Sequence, residues 1–393
     1  GELAVVRNPA GQDYSGTITV PSTANGYTVK YIATHAFGYV DGSAVEDMRI
    51  ESVDLPGTIV SFANCAFQNN RSLKSIVIPN SVVALSDDNF NGTDTEVGAT
   101  FMNCTSLEEV TIGAGVTNLA FTNGLFNNMT YDGASSLKKL TILAPTPPTI
   151  DGNTFLVDLA NAVLFVPADA VEAYQNTFGG TEGWWMFTHG TANIYAVGTC
   201  VPPWGLSVDE NNVITWKGVA NGGYDVAISS TELSNPTASA HVGSESYNAS
   251  DDIQQEGVYY IYVRGACSDN NSEWVSTSIY HYPGAYCDYN VSGITTYTND
   301  SGEPDTTVWT SSVELWQNGY PIATVAGAAA FAGATVQLIP NAEVTVKWVG
   351  GNDYDDPCTL LIKQGETVIL SKEDLVDNVS SDNVGTFTPS CSD

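Results

Sequence analysis

Five short segments of this chain share one pattern: TITVP (17–21), SVDLP (52–56), SIVIP (75–79), EVTIG (109–113) and KLTIL (139–143). Each alternates apolar and polar residues and closes at Pro, Gly or a turn, as a short strand with one buried face does. Ahead of most lies a second element with a fixed aromatic: HAFGYV at Phe37, CAFQNN at Phe67, ATFMNC at Phe101 and GLFNNM at Phe126. Six residues separate Phe67 from Leu73, and six again separate Phe101 from Leu107. The units run 17–51, 52–74, 75–108 and 109–138, and the shortest, of 23 residues, is the basic turn. The others carry insertions such as SDDNFNGTDTEVG (86–98) and MTYDGAS (129–135). A unit this small cannot bury its own apolar face, so stacked neighbours must supply the core, with the Phe, the Leu and the strand residues as ladder positions.

A period in the twenties with one strand per unit indicates a leucine-rich solenoid. The consensus of the turns, AF followed by C or N, x-S-L and a strand ending in Pro, resembles the bacterial leucine-rich repeats of the BspA type. The stretch from Leu3 through HAF is similar to that family's N-terminal cap. TILAPTPPTIDGNTF, NAVLFVPADAVEAYQNTF and IYAV are similar to its closing cap, with a PP turn, a strand ending in VP and a short helix from 168 to about 176. The resemblance covers roughly residues 3–198. It implies a non-catalytic, secreted or cell-surface interaction protein, an adhesin toward host or microbial macromolecules. Cys104, three residues after Phe101, takes the family's Cys rung, and Asn70 takes that rung after Phe67. Cys65 stands one residue before the Ala-Phe step. No His or Asp constellation accompanies Cys65 or Cys104, so both read as structural thiols rather than nucleophiles.

The repeat stops after IYAVGTCVPPWGL, and the expected fold is mainly β: a solenoid over 1–198 followed by two β-sandwiches, 199–283 and 284–393. In the first, VITWKG, GYDVAIS, GVYYIYVRGAC and EWVSTSIYHY resemble the strands of a fibronectin type III domain, with Trp216 and Tyr260 or Tyr262 in its core. Its simplest role is a spacer. The second alternates strands of five to eight residues with Gly, Asn and Asp turns. It is similar to C-terminal modules of secreted Bacteroides-like proteins that carry a D-x-x-G-D-G-W-N-G loop. Here the loop reads NDSGEPDTTVW, which keeps Asp300 and Asp305 but loses the Gly-Asp-Gly core. Asp300, Glu303 and Asp305 supply part of the six or more oxygens a calcium ion takes. NDYDD (352–356) is a second acidic loop, and polar turns are the simpler reading of both. No other cofactor is expected.

Seven cysteines include no CxxC pair, and the four histidines lie far apart in sequence, which argues against a zinc site. The disulfide candidates are Cys200, Cys267, Cys287, Cys358 and Cys391. Cys200 with Cys267, and Cys287 with either Cys358 or Cys391, would staple the sandwiches in an oxidising compartment. Forty-four acidic against twelve basic residues give a net charge of -32. That field disfavours nucleic acid and anionic membrane as partners. No segment reaches the roughly 20 apolar residues of a membrane span. The expected protein is a secreted or outer-surface monomer, with any lipid anchor attached through a signal already removed. There is no GxSxG, HExxH or P-loop, so enzyme chemistry is not expected. A different class, a carbohydrate-binding accessory protein of a glycan-utilisation system, is suggested by Trp184 and Trp185 in GWWMF and Trp204 in PPWGL, whose flat rings suit sugar stacking. Packing of Trp184 and Trp185 in the closing cap is the alternative.

Overall fold

The structure, a computed structural model, describes residues 1–6, 14–38, 49–85, 100–119, 125, 136–150, 162–177, 193–295, 311–326, 333–351, 357–376 and 379–391. The alternating segments become parallel strands: Ser15–Thr19, Arg49–Asp54, Ser75–Ile78, Glu109–Ile112, Lys139–Ile142, Val163–Val166 and Ile194–Ala196. The first two pair with each other and the last five form one sheet. Across the break the Lys74 amide donates to the Glu51 carbonyl at 3.5 Å. Register aligns Ile76, Val110, Leu140, Leu164 and Ile194 in one inward file. All five join the solenoid core.

A second parallel ladder, which alternation did not reveal, runs through Glu2–Val5, Tyr27–Ile32, Ser61–Phe62 and Ala84–Leu85. Two of its members are only two residues long, too short to show a period. Its first turn is a hairpin at Asn25-Gly26, both at positive φ (51° and 81°), as a two-residue hairpin turn demands.

Between the ladders the aromatic rings stack. Phe37, Phe67 and Phe101 follow one another at centroid distances of 5.2 and 5.5 Å, tilted by 26° and 27°. Beside them runs a file of side chains bonded to the preceding turn. The Asn70 amide donates to the carbonyls of Phe37 and Phe67, and the Cys104 thiol donates to the Phe67 carbonyl at 3.2 Å. Asn70 and Cys104 therefore do one job, securing the carbonyl of the aromatic one turn back. Cys65 has a different place. It matches His35, two residues before each Phe, and both adopt the left-handed conformation (φ 56° and 53°). Burial pushes the Cys104 thiol up to about 12, so it stays protonated as a donor. The stack ends in a short helical segment, a 3-10 turn Ala168–Ala170 followed by the helix Val171–Asn176. Its buried Tyr174 hydroxyl bonds the Ala144 carbonyl at 3.0 Å.

Beyond Cys200 all pairing among the described residues is antiparallel. One sheet holds Trp204–Val208, Val213–Lys217 and Ser246–Asn248; facing it are Ala240–Val242, Tyr224–Ser229, Gly257–Gly265 and Val275–His281. Ile214, Trp216, Val226, Ile261 and Val263 fill the space between them. Among the described residues the last region has two four-stranded sheets around Val291, Leu315, Val346, Trp348 and Leu360. Its buried Gln317 donates to the Ile339 and Ala342 carbonyls and accepts from the Ile339 amide, which ties one strand end to a neighbouring turn.

Two disulfides are present: Cys200–Cys267 and Cys287–Cys391. Cys358 takes part in neither, which corrects its place among the candidates. In the sheet Cys358 lies opposite Thr295, at the far end of the strand that Cys287 begins. Eight residues of strand separate those ends by about 26 Å, far beyond the reach of a disulfide. Cys358 is a buried core residue instead.

Candidate functional site

The outward file of the ladder is where a solenoid meets a partner, and its exposure changes along the stack. Val77, Thr111, Thr141, Phe165 and Tyr195 stand in register on successive strands. Val77 is 62% exposed and Thr111 half-buried, but Thr141 falls to 7% and Phe165 to 5%. Something covers the late turns and leaves the early ones open. The cover is the chain that follows. Val163 and Phe165 form an apolar cluster with Val201, and Tyr195, Trp204 and Val219 pack against it.

Charges border this seam. Lys138 sits 3.5 Å from Glu245 of the first sandwich and 3.7 Å from Glu108 one turn back. Lys139 pairs with Glu109 at 3.5 Å while its ammonium lies 5.6 Å from the centre of the Phe165 ring. These groups are partly exposed, so each pair adds little energy but restricts the angle of contact.

The open part of the face runs from Ser15 to Thr111 and is mostly polar. Ser52 donates to the Thr17 hydroxyl at 2.9 Å, and Thr19 to the Asp54 carboxylate at 3.3 Å. Hydroxyls thus join neighbouring strands on this face, and Val77 is its exposed apolar point. Lys74, Glu108 and Glu109 edge the same surface, and Lys74 and Glu109 are exposed. Such a face offers shape, hydrogen bonds and a small apolar contact. Among the described residues no three His, Cys, Asp or Glu side chains group to hold a metal ion.

Trp204 lies in the seam, half-buried and packed against the cluster of Val163, Phe165 and Val201. Trp184 and Trp185 lie outside the described residues, as do Asp300, Glu303, Asp305, the acidic loop 352–356, the insertion 86–99 and residues 129–135. Ser136, which closes the second insertion, donates to the Leu107 carbonyl at 2.8 Å. Sequence reasoning missed the seam residues Phe165, Tyr195, Val201, Val219 and Glu245. A signal was present for Phe165: VLFV (163–166) is apolar at every position where the earlier strands alternate, and all four are buried. An unbroken apolar strand is one covered on both faces.

Residues 39–142 match the family of the BspA type Leucine rich repeat region, in six copies. No curated protein matches the chain. Among solved structures, the leucine-rich-repeat protein of T. pallidum aligns at 16% identity and a TM-score of 0.25, over 51% of this chain and 80% of that one. A leucine rich cell surface protein from Faecalibacterium prausnitzii aligns at 16% identity and a TM-score of 0.20, over 55% of this chain and 56% of that one. The chicken interferon gamma receptor alpha chain aligns at 14% identity and a TM-score of 0.19, over 48% of this chain and 98% of that one.

Proposed function

We propose that this protein is a non-catalytic, secreted or outer-surface interaction protein whose open ladder face, from Thr17 to Thr111, receives a macromolecular partner. The observation that carries the reading is the fall in exposure along one register file, from Val77 to Phe165. The late turns are matched to their own sandwich, and the early turns keep the same strand geometry with nothing described upon them. The repeat family supports it, since stacked repeats present extended surfaces to proteins. Two disulfides fit an oxidising compartment. Residues 199–283 act in this reading as a fibronectin type III-like spacer, and 284–393 as a terminal β-sandwich.

The test is a binding screen of the full chain against immobilised extracellular-matrix and bacterial surface proteins, repeated with Val77→Arg and Thr111→Arg. Val83→Arg, exposed on the short strands' side of the solenoid, is the control. A partner of the ladder face binds at least tenfold more weakly to the first two variants and unchanged to the third. A partner indifferent to Val77→Arg and Thr111→Arg rejects the face. The calcium reading at Asp300, Glu303 and Asp305 is decided separately: a melting temperature equal in calcium and after EDTA dialysis removes it.

A further inference from the structure

The first sandwich carries a second concave feature, away from the ladder. A pocket of about 410 Å³ opens at one end of the four-stranded sheet, beside the loop that leads into strand Gly257–Gly265, within the roughly 300–1,000 Å³ of small-molecule sites. Ile228 and Ser229 at the end of strand Tyr224–Ser229, with Ser230 and Ser239, form one wall. Asp252, Gln255 and Tyr259 form the other.

The second wall is held in place. The amides of Asp252 and Ile253 both donate to the Ala249 carbonyl at 2.9 Å, closing a turn, and Ile253 is buried beneath it. The Asn212 amide donates to the Ile253 carbonyl at 3.3 Å. Tyr247 donates to Asp252 Oδ2 at 2.9 Å, fixing the carboxylate. The Gln255 amide donates to the Tyr259 hydroxyl at 3.2 Å, and the Tyr259 ring meets His281 edge-on, so the ring is anchored at both ends. These restraints come from the protein's own residues, which lowers the ordering cost of binding.

The chemistry of the lining selects among ligands. The lining residues include three serines, one aspartate, one glutamine and one tyrosine, and none is a cation. The Ser239 hydroxyl also donates to the Val226 carbonyl at 3.2 Å, and the Ser229 hydroxyl accepts from the Thr231 amide at 3.1 Å. A phosphate, sulfate or uronate finds no counter-charge there and meets Asp252 in a chain of net charge -32. A hard cation finds a single carboxylate, already bonded to Tyr247. An acyl chain finds only Ile228 and the Tyr259 ring. A neutral sugar suits every group: its hydroxyls donate to the carboxylate and exchange hydrogen bonds with Ser and Gln, and its C–H face lies on the tyrosine. We propose that this pocket binds a neutral pyranose, as the terminal unit of a glycan. The proposal is independent of the ladder face and of Trp184, Trp185 and Trp204.

Saturation-transfer NMR and calorimetry on the full chain, with galactose, methyl mannoside and N-acetylglucosamine, test it; glucuronate and inorganic phosphate are the anionic arms. At least one neutral sugar is expected to bind saturably, and neither anion. Ser230→Trp, which fills the mouth, abolishes binding, and Asp252→Asn weakens it about tenfold by loss of a charged acceptor. Asp252 is exposed, so its variant keeps the parental melting temperature and stays informative even where Ser230→Trp disturbs the fold. Val77→Arg leaves sugar binding intact, which separates failure here from failure of the ladder reading. Absence of binding by all three sugars, persistence in both pocket variants, or equal binding of glucuronate overturns the proposal.

Discussion

The solenoid and the last sandwich are both made of strands, yet they hold those strands by different means. In the solenoid each turn is fastened to the one before it by a repeated set of parts: a phenylalanine on a phenylalanine, an Asn or Cys on a carbonyl, one strand beside the next. Its described cysteines, Cys65 and Cys104, form no disulfide. In the last sandwich pairing is antiparallel, and Cys287–Cys391 closes a separation of 104 residues. A ladder built from neighbours accepts insertions between its turns, because each insertion leaves the adjoining contacts in place. A sandwich joins distant parts of the chain and has to be closed as a whole.

Damage to the two regions should therefore be local and of different kinds. The largest effect is expected from Phe67→Ala, because that ring touches Phe37, Phe62 and Phe101. Loss of a buried phenylalanine costs about 3–5 kcal/mol. Hydrogen exchange should rise across 50–112 while residues 204–391 keep their protection; a rise spread evenly over all three regions would mean that they do not unfold separately. Next comes Cys287→Ser with Cys391→Ser, at about 2–5 kcal/mol. Here protection should fall in 287–391 and nowhere in the solenoid. Labelling sharpens the contrast: the native Cys104 thiol, buried and with its pKa pushed up to about 12, should resist iodoacetamide until the ladder unfolds.

A smaller change probes the rung. Asn70→Ala leaves the Phe37 and Phe67 carbonyls without that donor, at about 1–3 kcal/mol. Asn70→Cys should restore most of the loss, since Cys104 performs the same task with a thiol. Equal melting of the Ala and Cys variants would show that the rung is packing alone.

The same contrast explains what could be read in advance. SIVI, EVTI and KLTI coincide with strands Ser75–Ile78, Glu109–Ile112 and Lys139–Ile142, because alternation is local and recurs at each turn. The pairing of Asn70 with Cys104 was legible for the same reason, since both fall three residues after a phenylalanine. What escaped depends on surfaces meeting across distance. Ser61–Phe62 and Ala84–Leu85 are too short to carry a pattern. The partner of Cys287 depends on which end of a strand each cysteine occupies, which register decides and spacing does not. The packing of Trp204 in the seam was not legible because nothing near it in sequence announces Phe165, 39 positions earlier. The pocket draws its lining from 228–239 and 252–259, which the antiparallel pairing of strands Tyr224–Ser229 and Gly257–Gly265 brings together.

The gentlest test uses acid on a single carboxylate. Asp225, on the four-stranded sheet of the first sandwich, receives Arg264 Nε at 3.0 Å and lies 2.9 Å from His241 Nδ1. Arg264 in turn lies 4.5 Å from the Trp274 ring centre. Burial alone would raise the Asp225 carboxyl, but its bonds to His241 and Arg264 outweigh that and leave it below the ordinary carboxylate range. A carboxylate held low stabilises the fold at every pH above its unfolded value, about 3.9, and that stability is lost as pH falls through the lower folded value. Lowering the pH from 5 toward 3 should loosen strands Ala240–Val242 and Gly257–Gly265 at the Asp225 end, seen as faster exchange there. Asp225→Asn should have that loosening already at pH 7 and lose its dependence on acid. In the ladder the Glu2 carboxyl is also held low, by Lys30 and Tyr31 on the neighbouring strand. Those bonds lie on exposed groups at the first strand pair, so the Phe stack should not respond over the same range. A solenoid that loosened first would place the acid-sensitive contact in the ladder instead of the sandwich.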